Sequence, residues 1–187
     1  MSEIPKGGFV VWLTGLPGSG KTTISSIVGP RLKSSGLKVE MLDGDEVRKW
    51  LGPNEGFTAE DRERHLRRVA HVAELLSRNG VVVVCAFVSP YVSTRKYARD
   101  VIANFVEVYV KCSLETCKSR DPKGLYAKAR AGLIANMTGV QDAYEPPPNP
   151  EMVIDTEQEA PETSADRLIS KLQELGFLSG SAREFPT

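Results

Sequence analysis

Residues 15–22 read Gly-Leu-Pro-Gly-Ser-Gly-Lys-Thr, and this stretch decides the fold. It fits the pattern Gly, four residues, Gly-Lys-Ser/Thr, whose glycines let backbone N–H groups approach phosphate oxygens closely. The pattern predicts that Lys21 reaches the β- and γ-phosphates of a nucleoside triphosphate and that the Thr22 hydroxyl ligates Mg²⁺. The candidate triphosphate-binding residues of the loop are Gly15, Leu16, Pro17, Gly18, Ser19, Gly20, Lys21, Thr22 and Thr23.

The segments on either side of this loop fit a strand before it and a helix after it. Residues 9–13, Phe-Val-Val-Trp-Leu, form the short apolar run of a buried strand. Beyond the loop, Ile24, Ile27, Val28 and Leu32 recur at helical spacing. Strand, glycine loop and helix is the order that a phosphate loop needs, and it counts against the alternative of an ordinary glycine-rich turn.

The rest of the chain alternates in the same way. Helical patterns separate four later apolar segments that predict strands, at 37–42, 81–88, 105–111 and 152–155. This alternation predicts an α/β fold, and we expect residues 1–187 to form one domain. The basic segment at about 120–140, with a helix over 125–135, predicts a lid that closes over the phosphates; a solvated helix is the alternative. A flexible tail is expected at about 179–187.

Composition excludes several classes of protein. The chain has 24 basic and 24 acidic residues, so nothing indicates a general nucleic-acid or membrane-surface binder. Its three cysteines lack C-x-x-C spacing, which counts against disulfides and zinc. The longest apolar runs are too short to span a bilayer, and we find no signal-peptide pattern. A cytoplasmic protein is therefore expected.

Two carboxylates follow the predicted strand at 37–42. Asp43 and Asp45 flank Gly44 at the carboxyl edge of the predicted sheet, where open α/β sheets bind ligands. A simple turn is the alternative. Beside a phosphate loop, both Mg²⁺ binding and activation of an attacking hydroxyl need carboxylates. We predict Asp43 as the metal ligand beside Thr22, because the apolar strand at 81–88 has Cys85 where a metal-binding aspartate is usual, and we leave open which aspartate acts as base.

Polar side chains from two other segments are expected at the same edge. Ser89 follows the strand at 81–88, with a helix cap as the alternative role. Arg62 and His65 lie three residues apart near the start of a long helix that Thr58 is predicted to cap, so they share a face. The general alternative for the arginines of this helix is a solvated surface.

Taken together, these blocks resemble the adenylylsulfate kinase (APS kinase) family from about residue 8 to residue 156. The phosphate loop alone is shared by many families, whereas the ordered set of blocks is far more specific. The matching blocks are residues 15–23, Leu42-Asp43-Gly44-Asp45 with Val47-Arg48, Gly56-Phe57 with Glu60-Asp61-Arg62, Val88-Ser89-Pro90-Tyr91, Arg120-Asp121-Pro122-Lys123-Gly124-Leu125-Tyr126 to Arg130-Ala131-Gly132, Thr138-Gly139 and Tyr144-Glu145.

The resemblance implies a reaction and a fold. ATP would donate its γ-phosphate to the 3′-hydroxyl of adenosine 5′-phosphosulfate (APS), giving 3′-phosphoadenylyl sulfate (PAPS) and ADP, with Mg²⁺ as cofactor. The fold would be that of P-loop nucleoside-triphosphate hydrolases, with a nucleotide-kinase-like five-stranded parallel sheet flanked by helices. The resemblance also implies a homodimer and a role in sulfate assimilation.

It further implies roles for individual residues. Arg48 and Arg62 would hold the phosphosulfate, Phe57 would stack on the substrate adenine, and Lys123 would descend with the lid. We expect Ser89 to bind substrate by hydrogen bonding rather than to be phosphorylated, because in-line transfer needs positioning and charge. The implied catalytic residues are Lys21, Asp43, Asp45 and Ser89, Arg120 joins the ATP site, and the implied substrate-binding residues are Asp45, Arg48, Phe57, Arg62, His65, Val88, Ser89, Lys123, Leu125 and Met137.

Three positions depart from the family's usual residues. His65 replaces an Asn, Met137 replaces an aromatic residue before Thr-Gly, and Glu46 replaces an Asn after Asp-Gly-Asp. His65 can still donate a hydrogen bond, and the Met137 thioether can still pack on adenine. These differences bear on how strongly the substrate adenine is bound.

Two other functions remain open at this stage. One is a small-molecule P-loop kinase with a different hydroxyl acceptor, such as a nucleoside or a sugar acid. The other is a nucleotide-dependent switch or binding module, which would favour guanine or need a partner for turnover. The sequence has no Asn-Lys-x-Asp motif for guanine, and this counts against the switch.

Overall fold

The structure is a computed structural model that describes residues 7–179. Within that range five parallel strands form one sheet in the order β2-β3-β1-β4-β5, which confirms the predicted five-stranded parallel sheet. The strands are β1 (Val10–Thr14), β2 (Val39–Asp43), β3 (Val82–Ala86), β4 (Phe105–Lys111) and β5 (Met152–Asp155).

Helices cover both faces of this sheet. One face is packed by α1 and α7, and the other by α2, α3 and α4, so each face has its own buried apolar cluster. A third, smaller cluster lies under α5 and α6. The helices are α1 (Lys21–Ser34), α2 (Gly44–Leu51), α3 (Ala59–Arg78), α4 (Val92–Val101), α5 (Leu114–Arg120), α6 (Leu125–Arg130) and α7 (Pro161–Glu174).

The order of the strands positions the phosphate loop. β1 lies between β3 and β4, and all five of its residues are buried, as expected for a central strand covered on both faces. Because every strand runs in the same direction, the segments that follow them meet at one edge. That edge carries the loop after β1, Asp43 at the end of β2, Val88 after β3 and Thr156 after β5.

The helix boundaries differ from the sequence expectation at three places. The helix predicted over 125–135 ends at Arg130, because Gly132 adopts φ 73° and Leu133 N–H bonds back to the carbonyl of Lys128, closing the helix in a Schellman motif. The last helix, which the apolar pattern predicts over 165–176, begins already at Pro161, since proline suits the first helical position. The short helix predicted over 46–51 is α2, and it starts two residues earlier, at Gly44.

Two caps test other predictions. Thr58 caps α3 by accepting from Asp61 N–H at 3.2 Å, as predicted. Ser89 does not cap α4, so that alternative is wrong; the N-cap is Tyr91, and the Glu145 carboxylate accepts from Val92 N–H at 2.6 Å.

Most of the predicted tail, from residue 180 onward, lies outside the described residues. Among residues 7–179, no helix combines the length and apolar character that a membrane crossing requires.

Candidate active site

One cavity of about 600 Å³ lies at the carboxyl edge of the sheet, between the phosphate loop, α2, the start of α3 and the segment around α6. A volume of this size is typical of sites for small molecules and cofactors. The cavity brings together most of the predicted site residues: Pro17, Gly18, Gly20, Lys21, Thr22, Thr23, Asp43, Asp45, Phe57, Arg62, Val88, Arg120, Lys123, Leu125 and Met137.

The phosphate loop has the backbone shape that its glycines predict. Gly18 and Gly20 adopt φ 79° and 105°, in the region that glycine tolerates best. A Cβ on Gly18 would lie 3.2 Å from the carbonyl oxygen of Cys117 on α5, so the loop is also packed closely. Gly20 is the N-cap of α1, and the N–H groups of the first turn therefore point toward the cavity end of the helix, which favours anions.

Lys21 lies beneath the loop and is 8% exposed. Its ammonium donates to the carbonyl oxygens of Gly15 at 2.9 Å and Leu16 at 2.7 Å. Burial lowers the pKa of Lys21 from 10.5 to about 8. The loop thus holds a desolvated cation at the place where an added anion would be strongly attracted.

Thr22 and Asp43 form a pair of oxygen donors at the cavity. The Thr22 hydroxyl donates to Asp43 Oδ2 at 2.8 Å, while Asp43 Oδ1 accepts from Asp45 N–H at 3.0 Å and so caps α2. In the described part of the chain, no cluster of three or more His, Cys, Asp or Glu side chains is placed to hold a metal. The pair fits Mg²⁺, which takes hard oxygen ligands and commonly needs only one or two from protein when phosphates supply the rest.

The segment predicted as a lid is fastened to the phosphate loop. The Tyr126 hydroxyl, on α6, donates to the Pro17 carbonyl at 2.9 Å. The Asp121 carboxylate accepts from the N–H groups of Tyr126 at 3.1 Å and Ala127 at 3.0 Å, which fixes the start of α6. Lys123 forms an ion pair with Asp45, and this hydrogen bond raises the pKa of Lys123. The lid segment therefore contacts both the phosphate loop and Asp45, one of the two predicted site carboxylates.

Arg120 is held at the other side of the loop. Its guanidinium donates to the Thr156 hydroxyl at 3.0 Å and to the Thr156 carbonyl at 2.7 Å. The Thr156 hydroxyl in turn donates to the Ser19 carbonyl at 3.0 Å. Thr156 therefore joins Arg120 to the loop.

Phe57 and Arg62 form the far side of the cavity, and Arg48 lies behind the Phe57 ring. Phe57 is 48% exposed, and the guanidinium carbons of Arg48 and Arg62 lie 4.5 Å and 5.5 Å from its ring centroid. Arg62 also donates to the carbonyls of Phe57 at 3.0 Å and Asn136 at 2.6 Å. Both arginines are partly buried, and this burial lowers the pKa of each guanidinium, which nevertheless stays charged.

Six of the predicted site residues are not among the described residues that line the cavity: Gly15, Leu16, Ser19, Arg48, His65 and Ser89. The first three form the underside of the phosphate loop around Lys21. Arg48 lies behind Phe57, with its guanidinium donating to the Gly56 carbonyl at 3.0 Å. His65 is buried inside the protein at 2% exposure.

The Ser89 hydroxyl faces the sheet and not the cavity. It accepts from Trp12 Nε1–H at 3.1 Å and is buried, and the residue adopts φ 37°. The buried guanidinium of Arg95 donates to the Ser89 carbonyl at 2.6 Å and to Glu107 at 2.8 Å. The hydrogen bond from Arg95 holds the strained turn at Ser89, and no sequence pattern predicted this buried guanidinium.

Sequence reasoning missed several residues that the cavity includes. Tyr126 and Thr138 lie inside blocks that carried the family resemblance, and Thr156 lies at the end of its range, but none was given a role. Thr156 could have been found from its place directly after a predicted strand. Phe87 also lines the cavity, as part of the apolar run that was treated only as a strand.

A family model described as "Adenylylsulphate kinase" matches residues 7–155. The chain belongs to the adenylylsulfate kinase family. It is 49% identical over 172 residues to the adenylyl-sulfate kinase of Halothermothrix orenii, covering 92% of this chain and 93% of that one. It is 52% identical over 167 residues to the probable adenylyl-sulfate kinase of Aeropyrum pernix, covering 87% of this chain and 91% of the other.

A solved adenylylsulfate kinase has the same architecture. The Mycobacterium tuberculosis APS kinase CysC, crystallised in complex with AMPPNP and APS, superposes with a TM-score of 0.86 at 40% identity, over 90% of this chain and 99% of that one. The family resemblance drawn from the sequence blocks and the predicted P-loop kinase fold are both confirmed.

Proposed function

We propose that this chain transfers the γ-phosphate of ATP to the 3′-hydroxyl of adenosine 5′-phosphosulfate, releasing ADP and PAPS. The observation that carries the proposal is one cavity lined at once by the phosphate loop, by the Asp45–Lys123 pair and by Phe57 with Arg62. A donor site and an acceptor site within one cavity are what direct transfer between two bound nucleotides needs. Membership of the adenylylsulfate kinase family supports the choice of acceptor.

The donor triphosphate would lie on the phosphate loop. The N–H groups at the start of α1 and the Lys21 ammonium would bind its oxygens, and the phosphates would replace the Gly15 and Leu16 carbonyls as partners of Lys21. Arg120 would border the nucleoside end, where Thr156 holds it. Thr22 and Asp43 would hold Mg²⁺, which supplies positive charge to the β- and γ-phosphates when bound.

The acceptor would lie on the opposite side. Phe57 offers an exposed aromatic face for adenine, with Met137, Leu125 and Val88 as apolar neighbours along the cavity. Arg62 lines the cavity as a cation for the phosphosulfate, and Arg48 adds positive charge from behind Phe57. The direct contacts predicted for Ser89 and His65 are not part of this proposal, because the Ser89 hydroxyl bonds to Trp12 and the His65 side chain is buried.

Asp45 is the carboxylate that we assign to the attacking hydroxyl. The Asp43 carboxylate is occupied by Thr22 and by the cap of α2, whereas the Asp45 carboxylate is exposed at the cavity and pairs only with Lys123 among the described residues. A bond would form between the 3′-oxygen and Pγ while the Pγ–O bond to ADP breaks. Asp45 would accept the hydroxyl proton, and Lys123, once released from Asp45, would stabilise the negative charge of the transferring group.

Phosphorylation of a panel of acceptors tests this function. The purified chain with Mg²⁺ and ATP is mixed separately with APS, adenosine, gluconate and shikimate, and ADP release and the phosphorylated product are measured. We expect release that depends on APS and a product identified as PAPS by mass spectrometry. Release that depends on another acceptor and ignores APS would overturn the proposal in favour of a different small-molecule kinase.

Titration with nucleotide alone separates the kinase from a switch. Isothermal titration should detect ATP binding and much weaker GTP binding, because no guanine-recognition motif is present in the sequence. Tight binding of GTP without binding of ATP would instead support the nucleotide-dependent switch.

We also propose a cytoplasmic homodimer. The compartment is supported by Cys85, Cys112 and Cys117, which are all free thiols, as expected in a reducing environment. Sedimentation equilibrium of the purified chain tests the dimer: a single species at the 20.5 kDa of one chain would contradict it.

A further inference from the structure

A buried pair of titratable side chains lies behind the acceptor side of the cavity. His65 on α3 is 2% exposed, and within residues 7–179 neither of its ring nitrogens has a hydrogen-bond partner. Its Nδ1 lies 3.3 Å from Oε2 of Glu55, and that oxygen also lacks a partner in the described structure. Three unpaired polar atoms in one buried place are uncommon, because each costs free energy when left unsatisfied.

Neighbouring arginines and burial determine the charge states of Glu55 and His65. Glu55 Oε1 forms ion pairs with Arg68 at 2.7 Å and Arg64 at 3.3 Å, both on α3. Arg48 approaches from α2, and the ring of Phe87 lies 6.4 Å from the imidazole centroid on the sheet side. Burial and the nearby Arg48 lower the pKa of His65, so the ring is neutral at pH 7 beside a carboxylate already held by arginines.

The backbone around Glu55 is shaped to admit this contact. A Cβ on Gly52 would lie 2.4 Å from Glu55 Oε2 and 3.1 Å from His65 Nδ1. Only a residue without a side chain therefore lets the carboxylate and the imidazole pack against the chain at residue 52.

Glu55 connects the pair to the acceptor side. The acceptor loop, residues 52–57, ends in Phe57, and the carbonyls of Glu55 and Gly56 accept from Arg48 at 3.3 Å and 3.0 Å. The Glu55 side chain anchors this loop on α3 through Arg64 and Arg68, in addition to the bond from Arg62 to the Phe57 carbonyl. A change in the Glu55–His65 contact therefore shifts the loop that carries Phe57 and whose carbonyls bond to Arg48.

We propose that His65 and Glu55 form a positioning pair that sets the acceptor loop, and with it Phe57 and Arg48, for an adenine nucleotide acceptor. The ring does not touch the acceptor; a small rotation turns the 3.3 Å approach into an Nδ1–H···Oε2 hydrogen bond, which draws the loop against α3. Binding of the acceptor adenine to Phe57 favours the arrangement in which this hydrogen bond is formed and the loop lies against α3. The inference rests on the proposed function, since it assigns the acceptor to Phe57.

A double-mutant cycle tests the pair. Glu55→Gln, His65→Leu and the double variant are compared with the wild type, with APS and ATP each varied in turn. We expect each single variant to raise KM for APS about tenfold, and the double variant to add little, because either change already breaks the Glu55–His65 contact. The values of kcat and KM for ATP should stay within about twofold.

The chain offers matched controls. His71 is the other histidine of α3, and it is exposed, with Nε2 2.7 Å from the Tyr97 hydroxyl. Glu63 pairs with Arg67 on the outer face of the same helix. His71→Leu and Glu63→Gln should leave both KM values unchanged. His65→Gln keeps an N–H donor and should recover much of the loss, which also keeps the test valid if His65→Leu folds poorly.

Three results would overturn the positioning role: an unchanged KM for APS, equal losses for APS and ATP, or losses that simply add in the double variant. Amide hydrogen exchange separates this inference from the proposed function. If the wild type fails to phosphorylate APS, the function fails, while faster exchange at residues 52–57 in Glu55→Gln and His65→Leu but not in His71→Leu still supports the pair. Unchanged exchange in all variants contradicts the pair itself.

Discussion

The Thr22 hydroxyl donates a 2.8 Å hydrogen bond to Asp43 Oδ2, joining the first turn of the helix after the phosphate loop to the end of β2. The other Asp43 oxygen caps α2 by accepting from Asp45 N–H. One oxygen of the Asp43 carboxylate therefore caps α2, and the other faces the proposed metal position. A mutation can separate these two roles.

Asp43→Asn should keep the fold and lose most of the catalysis. Asparagine caps helices about as well as aspartate, so the free energy of unfolding should change little. The lost negative charge should weaken Mg²⁺ binding and lower kcat roughly 100-fold. Activity over a Mg²⁺ titration, alongside urea unfolding, checks both. A large loss of stability with an unaltered Mg²⁺ requirement would assign Asp43 to structure alone.

The Lys21 ammonium should set the upper pH limit of ATP capture. Its pKa in the protein is about 8, whereas 10.5 is the ordinary value, so it loses its proton as pH rises through 8. We expect kcat/KM for ATP to decline above about pH 8, because the neutral amine cannot attract phosphate.

The same residue makes a prediction about stability. Between pH 10.5 and about 8 the unfolded chain binds a proton that the buried amine does not, so Lys21 lowers the free energy of unfolding as pH falls through this window. Lys21→Arg stays charged, so it should flatten the pH dependence of both kcat/KM for ATP and the free energy of unfolding. Lys21→Ala should lower kcat roughly 1,000-fold. If kcat/KM for ATP of the wild type stayed constant up to pH 10, the charge of Lys21 would not be needed for ATP capture.

Lys123→Met should impair catalysis without affecting stability. Its ion pair with Asp45 is exposed, and exposed pairs contribute little to folding. We expect kcat to fall roughly 30-fold, because the transferring phosphate loses a lid cation, and the melting temperature to stay unchanged. Lys96→Met, which breaks the exposed Lys96–Asp100 pair on α4, serves as the control and should change neither. Equal activity in both variants would contradict the role of the lid cation.

Tyr126→Phe tests the fastening of the lid to the loop. The change removes only the hydroxyl that donates to the Pro17 carbonyl at 2.9 Å. We expect a loss of about 1 kcal/mol of stability and a several-fold lower kcat, because the lid and the phosphate loop are no longer held in register. Tyr97→Phe removes a hydroxyl that bonds only to the exposed His71 among the described residues, and it should not change kcat. A normal kcat in Tyr126→Phe would mean that the lid is positioned by packing alone.

Arg62→Ala should weaken the acceptor much more than ATP. The guanidinium lines the acceptor side of the cavity but also bonds to the Phe57 and Asn136 carbonyls. We expect KM for APS to rise about 100-fold, with KM for ATP nearly unchanged. If both KM values rise together, the arginine serves the structure of the loop rather than the acceptor.

Much of the fold could be predicted because the relevant signals are local. β4 and β5 begin and end where the apolar runs do, and the phosphate loop follows from the spacing of its glycines. The end of α6 was harder, because a continuous helical pattern hides the conformation that Gly132 adopts. Local patterns thus place elements well and their ends less well.

The positions of polar side chains depended on distant neighbours. Ser89 was expected at the cavity, but its hydroxyl bonds to Trp12, which is 77 residues earlier in the chain. His65 was expected on a face toward the substrate, yet α3 turns it inward against Glu55 and Phe87. The spacing of two residues on a helix shows that they share a face, but not which way that face is turned.

The buried Arg95 guanidinium has a wider consequence for altering this enzyme. It bonds to Glu107 of β4, to the Ser89 carbonyl and, at 2.7 Å, to the carbonyl of Glu145, three segments far apart along the chain. Anyone redesigning the pocket for a bulkier nucleotide should change Val88 or Met137 first. A substitution at Arg95 would remove the support of three segments at once, and directed evolution through that position would have to find several compensating changes together.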